Sequence, residues 1–330
     1  MASDFIDIQR DGEPAIIARS FAWGMLAFLF AFLVNNALVV GYDMPGAMPV
    51  FTGAATSASW FQLGIYGIAI IAAVFYVRST RTTSLRWDAM SIHRFNLYLI
   101  RAMFWTVLLV GIVDSAIAFM RVEGILESTL GTETSKLFGK ARWVGPYIHM
   151  PLVFVGFVLA AFTRTLGFTW LALMIVAAEL AIVISRFVFS YEQALMGDLV
   201  RYWYAALFLF ASAFTLFEDG HVRVDVLYAG FGRTKRGFVN AFGSIALGMS
   251  TVWVILAIGF NGKTSIINSP VANFEITQSG GVGMFIKYQM AAFLGIFAIT
   301  MLIQFVSYFL EAVADMRDEP GHREIAPVSH

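Results

Sequence analysis

The chain of 330 residues contains no cysteine and few charged side chains. The absence of cysteine excludes disulfide bonds, iron–sulfur clusters and thiol nucleophiles. Charged residues make up 13% of the chain, compared with about 25% in soluble domains. Because the 22 basic and 22 acidic residues give a net charge of zero, no basic field is present to attract nucleic acid, and we expect no nucleic-acid partner.

Signatures of catalytic and nucleotide-binding sites are also missing. Segment 257–264 comes nearest to a phosphate-binding P-loop, but it lacks the first glycine of that pattern. The five histidines lie outside the centres of the apolar runs, which argues against haem ligation by two histidines within a bilayer. We therefore expect this chain to be no enzyme and to hold no catalytic residue, cofactor or metal.

Apolar residues dominate the composition, at 59% of the chain. A helix of roughly 20 apolar residues crosses ~30 Å of hydrocarbon, because each residue rises about 1.5 Å. Eight runs approach this length, so the sequence predicts an all-α polytopic membrane protein with about eight transmembrane helices. The predicted spans are 21–40, 60–77, 102–120, 144–162, 166–185, 202–217, 238–260 and 288–310.

The distribution of basic residues predicts that both termini face the cytoplasm. Cytoplasmic loops of membrane proteins carry an excess of lysine and arginine. The loops after the second and sixth predicted spans are the most basic, and the four spans between them return the chain to the same side. The first residues, which include Asp4, Asp7 and Asp11, are unlike the basic start of a signal peptide, so we expect the first span to be retained.

Two acidic residues fall inside predicted spans: Asp114 in the third and Glu179 in the fifth. An unpaired carboxylate at the bilayer centre costs on the order of 3 kcal/mol or more, so each must be protonated, paired or packed against protein. The two residues either line the path of a stand-alone carrier or channel, or make polar contacts between helices or subunits. The absence of matched glycine or proline interruptions in pairs of spans favours the second hypothesis.

The helical position of Glu179 also favours a contact. At about 100° per residue, Thr169, Ala172 and Arg186 lie on or near its face of the fifth span. A face with polar residues near both ends is unlike one exposed only to lipid, so we predict that Glu179 faces protein. A hydroxyl or amide from another span or from a partner subunit is the expected hydrogen-bonding group.

The most distinctive pattern of residues lies between 185 and 225. An arginine and two phenylalanines end the fifth span, and an aspartate precedes an arginine by three residues before the sixth. A His-x-Arg-x-Asp loop follows the sixth span, and an extended backbone would place its three polar residues on one face. The residues of the pattern are Arg186, Phe187, Phe189, Asp198, Arg201, His221, Arg223 and Asp225.

This pattern resembles the small membrane subunit of tripartite ATP-independent periplasmic (TRAP) transporters, the Q-type or DctQ-like subunit. The elbow of that family usually reads Trp-x-Glu-Glu, whereas Leu195, Met196, Gly197 and Asp198 stand here. The resemblance covers residues 165–317, the size of an ordinary four-helix Q-type subunit. Residues 1–164 are then an N-terminal extension with four further spans, and residues 318–330 are a cytoplasmic tail.

The resemblance implies an accessory, scaffolding role in a sodium-driven secondary transporter of the bacterial inner membrane. In this family a large permease subunit carries the solute, and a periplasmic binding protein captures the solute first. The expected partners are therefore a large TRAP permease subunit, a periplasmic substrate-binding protein and membrane lipid. Sodium is expected to bind the permease, and the solute is expected to be an organic acid.

We predict that Arg223→Ala lowers the yield of assembled complex more than it changes solute affinity. The loop that contains Arg223 is expected to contact the partner subunit, whereas the solute binds elsewhere. Removal of one member of a buried charged pair typically costs ~3–5 kcal/mol, which is enough to cause dissociation in detergent. Size-exclusion chromatography measures the assembly, and an intact complex with altered solute dependence would contradict this role.

Overall fold

The computed structural model describes residues 8–164, 167–218 and 228–322. Within these ranges the chain is an all-α, multi-pass membrane protein, as predicted, with eight helices long and apolar enough to cross a membrane. We number them α1 to α8 in chain order: Ile16–Tyr42, Ser57–Ser79, Leu85–Val122, Ala141–Phe162, Phe168–Val188, Ala194–Phe217, Arg233–Gly259 and Lys287–Met316. Each corresponds to one predicted span, while the cytoplasmic location of the termini stays a prediction.

Two helices begin much earlier than the hydropathy predicted. α3 begins at Leu85 rather than at residue 102, and α6 begins at Ala194 rather than at residue 202. The hydropathy pattern did not predict these helical turns because they contain charged residues such as Arg86 and Asp198. The fold buries these residues against protein. The basic segment predicted as a loop after the second span is therefore largely helical.

Local sequence explains where several helices begin and end. Thr56 caps α2, because its hydroxyl accepts the Ser59 N–H at 3.1 Å and Ser59 in turn receives the Thr56 N–H. α1 ends where Asp43 adopts a left-handed backbone with φ of 56° and donates its N–H to the Leu38 carbonyl. A π-helical turn, Gly145–His149, lies near the start of α4, at Pro146, which lacks a backbone donor.

The described residues form two compact units, and each combines segments that are distant in sequence. Unit 1 comprises the described residues within Met1–Asn96, Thr215–Lys263 and Met301–His330, and unit 2 comprises those within Leu97–Phe214 and Thr264–Thr300. The domain boundaries predicted at residues 164 and 317 follow the extent of the resemblance to a family. They do not refer to compact units of the fold, so they stay a prediction.

A buried ion pair joins three helices of unit 1. Arg19 Nε of α1 donates to Asp88 Oδ2 of α3 at 2.7 Å, and both side chains are almost completely buried. The Trp23 indole donates to the same oxygen at 2.8 Å. The Arg19 guanidinium also donates to the Thr80 carbonyl at the end of α2. The first turns of α1 and α3 are thus fixed to each other and to the end of α2.

A second charged cluster fixes the segment that follows α8. Arg86 donates to Asp315 at 2.7 Å and to the Pro320 carbonyl at 2.8 Å, while Arg233 donates to Asp318 at 2.7 Å. Glu319 is buried in this cluster. The described part of the predicted tail, residues 318–322, therefore packs against the starts of α3 and α7.

Polar side chains also join α3 to α8 inside unit 1. His93 Nδ1 lies 2.9 Å from Gln304 Oε1, and the Ser307 hydroxyl donates to the Ala89 carbonyl at 2.8 Å. The Phe217 ring stacks on the imidazole of His93. His93 is buried here as a packing and hydrogen-bonding residue.

We predict that Asp88→Ala destabilises the protein by ~3–5 kcal/mol, because the Arg19 charge stays buried without its partner. Chemical unfolding in detergent micelles measures the loss. The matched control is Glu13→Ala, which removes an exposed carboxylate that contacts Arg317 in the same unit. Exposed pairs contribute about 0–1 kcal/mol, so equal losses in the two variants would contradict the importance of the buried pair.

Candidate functional site

Two acidic residues from separate spans converge on one loop segment of unit 2. Asp114 Oδ2 of α3 accepts the backbone N–H of Phe285 at 2.8 Å. Asp198 Oδ2, near the start of α6, accepts the N–H of Met284 at 3.1 Å. Both carboxylates are buried. The segment they hold, 283–286, leads directly into α8.

Segment 283–286 needs such partners because it is buried without regular secondary structure. Met284, Phe285 and Ile286 are at most 1% exposed. A buried peptide group outside a helix or sheet must find its hydrogen-bonding partner among other groups of the protein. Ionised side chains make stronger hydrogen bonds than neutral ones, so two carboxylates can hold this backbone firmly.

Arg121, near the end of α3, binds the carbonyl side of the same segment. Its guanidinium donates to the carbonyl of Gly283 and lies 3.4 Å from that of Gly280. The same group stands 4.8 Å from the centre of the Phe285 ring, within range of a cation–π contact. The segment is therefore held by acidic side chains at the N–H groups of Met284 and Phe285 and by a basic side chain at the Gly283 carbonyl.

A chain of polar side chains continues from Asp114 across α4 to α8. His149 Nε2 lies 3.4 Å from Asp114 Oδ1, an electrostatic contact longer than an ordinary hydrogen bond. His149 Nδ1 bonds to the Tyr288 hydroxyl and lies 3.2 Å from the Gln289 amide nitrogen. An amide nitrogen only donates, so Nδ1 accepts and the ring proton that fits this arrangement is on Nε2, facing Asp114.

Gln289 connects this chain to α6. Its Oε1 accepts the Tyr202 hydroxyl at 2.5 Å, and its amide nitrogen donates to the Phe285 carbonyl at 3.0 Å. On the next residue of α6, the Trp203 indole donates to the Val107 carbonyl at 3.1 Å. Gly111 makes this contact possible, since a Cβ there would lie 2.2 Å from the indole nitrogen.

The geometry suits a structural brace. Asp114, His149, Gln289 and Tyr202 use their polar atoms on one another and on the backbone of Phe285. In the part of the chain that the structure describes, no three histidine or acidic side chains are grouped as metal ligands. The network can fix α3, α4, α6 and α8 around one loop.

The loop between α7 and α8 is also tied to the start of α8. Glu275 pairs with Lys287 at 2.8 Å and accepts the Ser269 hydroxyl at 2.9 Å. The hydrogen bond from Lys287 lowers the pKa of Glu275 the most, and the hydrogen bond from Ser269 lowers it further. Because the folded-state pKa is the lower one, this contact stabilises the fold at neutral pH and is lost as the pH falls through that pKa.

The remaining described residues of the family-like pattern lie on the surface. Arg186 is exposed, and its Nε donates to Glu192 at 3.0 Å. The side chains of Phe187 and Phe189 are also exposed. Arg201 is exposed, with its guanidinium 3.7 Å from the buried Asp198. Asp198 is thus the one member of this described set that enters the brace.

The loop motif lies outside the described residues. His221, Arg223 and Asp225 fall between 218 and 228, so their predicted roles stay predictions.

Glu179 lies on the exposed surface of α5. The helix packs against its own unit through a narrow stripe that contains Leu171 and Ile175. No hydrogen bond or ion pair from the described residues reaches the Glu179 carboxylate. The expectation that another span of this chain covers it is therefore not met, and contact with a partner subunit stays a prediction.

Sequence reasoning missed the residues that surround Asp114, namely Arg121, His149, Tyr202 and Gln289. Arg121, Tyr202 and Gln289 stand at or near the ends of apolar runs, where polar residues ordinarily mark the membrane boundary. No sequence pattern indicated that Asp114 is a hydrogen-bond acceptor, since its donor is a backbone N–H 171 positions away.

Comparison with known proteins returned no relative. No family model, curated protein or solved structure matches the chain. Function is therefore inferred from geometry and from the residue pattern.

We predict that Asp114→Ala destabilises unit 2 by about 1–3 kcal/mol, because the buried N–H of Phe285 loses its acceptor. Hydrogen exchange of segment 282–286 should become faster, which mass spectrometry of the corresponding peptide measures. Asp114→Asn retains an acceptor oxygen and should show a smaller effect.

The matched control for this prediction is Glu133→Ala, which removes an exposed carboxylate of the same unit. Unchanged exchange at 282–286 in Asp114→Ala would refute the role of Asp114 as a brace.

Proposed function

We propose that this chain is an accessory membrane subunit that braces a larger transport subunit, as the resemblance to TRAP transporters implies. One observation carries the proposal: Glu179 is exposed in the middle of α5. The helix has 21 residues, and Glu179 lies roughly 15 Å from either end at 1.5 Å per residue. Its neighbours on the exposed surface are large and apolar; they include Val176, Leu180 and Val183.

In its ionised form, such a carboxylate needs a protein partner. A glutamate side chain is too short to reach the membrane surface from this depth, and hydrocarbon offers neither a counter-charge nor a hydrogen bond. A transmembrane helix from another subunit can supply a donor opposite Glu179 and cover the apolar side chains around it. The exposed face of α5 therefore supports a role in assembly.

The placement of Asp114 supports the same role over a stand-alone carrier or channel. That alternative requires Asp114 and Glu179 to line one path. Asp114 is 1% exposed and engaged by Phe285 and His149, whereas Glu179 lies on the surface of α5. No described hydrogen bond or ion pair links the two carboxylates, and each has a sufficient role without transport.

The proposed complex contains a large TRAP permease subunit and a periplasmic substrate-binding protein in the bacterial inner membrane. The permease binds sodium and carries an organic acid, while this chain holds the immobile part of the permease. The proposed orientation, with both termini in the cytoplasm, puts the loop that contains the short helices Ile125–Leu130 and Thr132–Phe138 on the periplasmic side, and we propose that the binding protein docks there.

Co-expression with the permease and reconstitution into proteoliposomes test the proposal. The purified chain alone should transport no organic acid, and it should co-purify with the permease through residues 165–317. Sodium-driven uptake should require both subunits and the binding protein. Uptake by this chain alone would refute the accessory role and favour the carrier.

We predict that Glu179→Leu weakens assembly, because the donor on the partner helix loses its acceptor, at a cost of about 1–3 kcal/mol. Glu179→Gln is the matched control: it retains an acceptor oxygen and should leave assembly and uptake nearly unchanged. Quantitative co-purification measures the first effect and proteoliposome uptake the second. An assembled Glu179→Gln complex without uptake, or with altered pH dependence, would instead identify Glu179 as an ion site.

A further inference from the structure

An open groove of about 420 Å³ lies in unit 1 among α1, α2 and α7. Gly24 gives the groove its depth, since no atom lies within 4 Å of the place where a Cβ would stand. All three helices are candidate membrane spans. The lining residues are Phe21, Gly24, Met25, Phe28, Ile70 and Trp253.

The walls of the groove provide no polar group for a ligand. The only polar side-chain atom among the lining residues is Trp253 Nε1, and it donates to Met25 Sδ at 3.1 Å. The Phe28 ring packs edge-on against the Trp253 indole, with centroids 5.1 Å apart. A ligand that fills this space must therefore be hydrocarbon.

Two basic side chains stand near the end of the groove at which α1 begins. Arg78 lies in the last turn of α2 and Arg81 follows the helix; both are exposed, and neither forms a hydrogen bond or ion pair with the described residues. Thr80, between them, is held by Arg19. Arg19 lies five positions before Gly24, roughly 7 Å along the axis of α1, so the arginines lie about one or two turns from the groove.

We propose that the groove binds an acyl chain of an anionic phospholipid whose phosphate lies against Arg78 and Arg81. The apolar walls select the hydrocarbon, and the two guanidinium groups, which pair with no described residue, select a negative headgroup. The site combines α1 and α2 of the N-terminal extension with α7, and it gives the extra spans a binding role. It does not depend on the proposed transport partners.

A helix from another protein is the alternative occupant. Such a helix is about 10 Å wide, would exclude lipid from the groove and would leave Arg78 and Arg81 without a phosphate partner. Contact between lipid and Trp253, together with preference for a negative headgroup, distinguishes the two occupants.

Fluorine NMR of the full chain labelled with fluorotryptophan tests the proposal. The protein is placed in lipid nanodiscs, and the Trp253 resonance is assigned by its loss in Trp253→Phe. Phosphatidylglycerol with a spin label on its acyl chain should broaden this resonance, and so should labelled phosphatidylcholine. The mole fraction of phosphatidylglycerol needed for equal broadening should be on the order of tenfold lower, because two arginines attract its headgroup. The resonance of the buried Trp203 in unit 2 reports whether each variant is folded.

Three variants locate the site. Gly24→Leu fills the groove and should abolish the broadening of Trp253. Gly41→Leu, on the same helix and equally free of close neighbours, should leave the broadening unchanged. Arg78→Gln with Arg81→Gln should remove the preference for phosphatidylglycerol while preserving contact with both lipids.

Equal broadening by the two lipids in the parent chain would indicate ordinary lipid contact and overturn the proposal. No broadening by either lipid, or broadening that persists in Gly24→Leu, would also overturn it.

Discussion

A peptide group buried inside a membrane protein must find its hydrogen-bonding partner within the protein, because hydrocarbon supplies none. Segment 283–286 meets this constraint without a helix or a sheet. Two carboxylates accept two of its N–H groups, and Arg121 donates to the Gly283 carbonyl. Two long helices, α3 and α6, therefore carry charged residues into unit 2 to hold one short stretch of backbone, and the start of α8 depends on that stretch.

The number and order of the spans could be predicted from sequence, since length and hydropathy determine them almost alone. The early starts of α3 and α6 could not, because the polar residues there are buried by partners far along the chain; Arg86 and Asp315 are 229 positions apart. Asp114 stood out as an acidic residue within an apolar run. Its function as an acceptor for the Phe285 N–H could not be predicted, because every residue except proline carries a backbone N–H and no residue type identifies this donor.

Asp114 and Glu179, the two carboxylates that the hydropathy pattern placed inside predicted spans, have opposite environments. Asp114 is enclosed by its own chain, whereas Glu179 lies on the surface of a helix that is otherwise apolar. An enclosed carboxylate that accepts a backbone N–H contributes to a rigid fold, and an exposed one at membrane depth requires a partner. The groove beside Trp253 adds a third kind of surface, one suited to lipid. The rigid fold, the proposed contact of α5 with a partner and the proposed lipid site together support the proposal of a scaffold over that of a moving carrier.

The central claim is that buried carboxylates hold segment 283–286 in its buried position. Cysteine labelling tests this claim directly because the chain has no cysteine of its own. Met284→Cys should resist a membrane-impermeant maleimide in the folded protein, whereas Val282→Cys, at a site 55% exposed, should react readily. Replacing Asp114 and Asp198 by alanine should make Met284→Cys reactive. Rapid labelling of Met284→Cys with both carboxylates present, or continued protection without them, would contradict the claim.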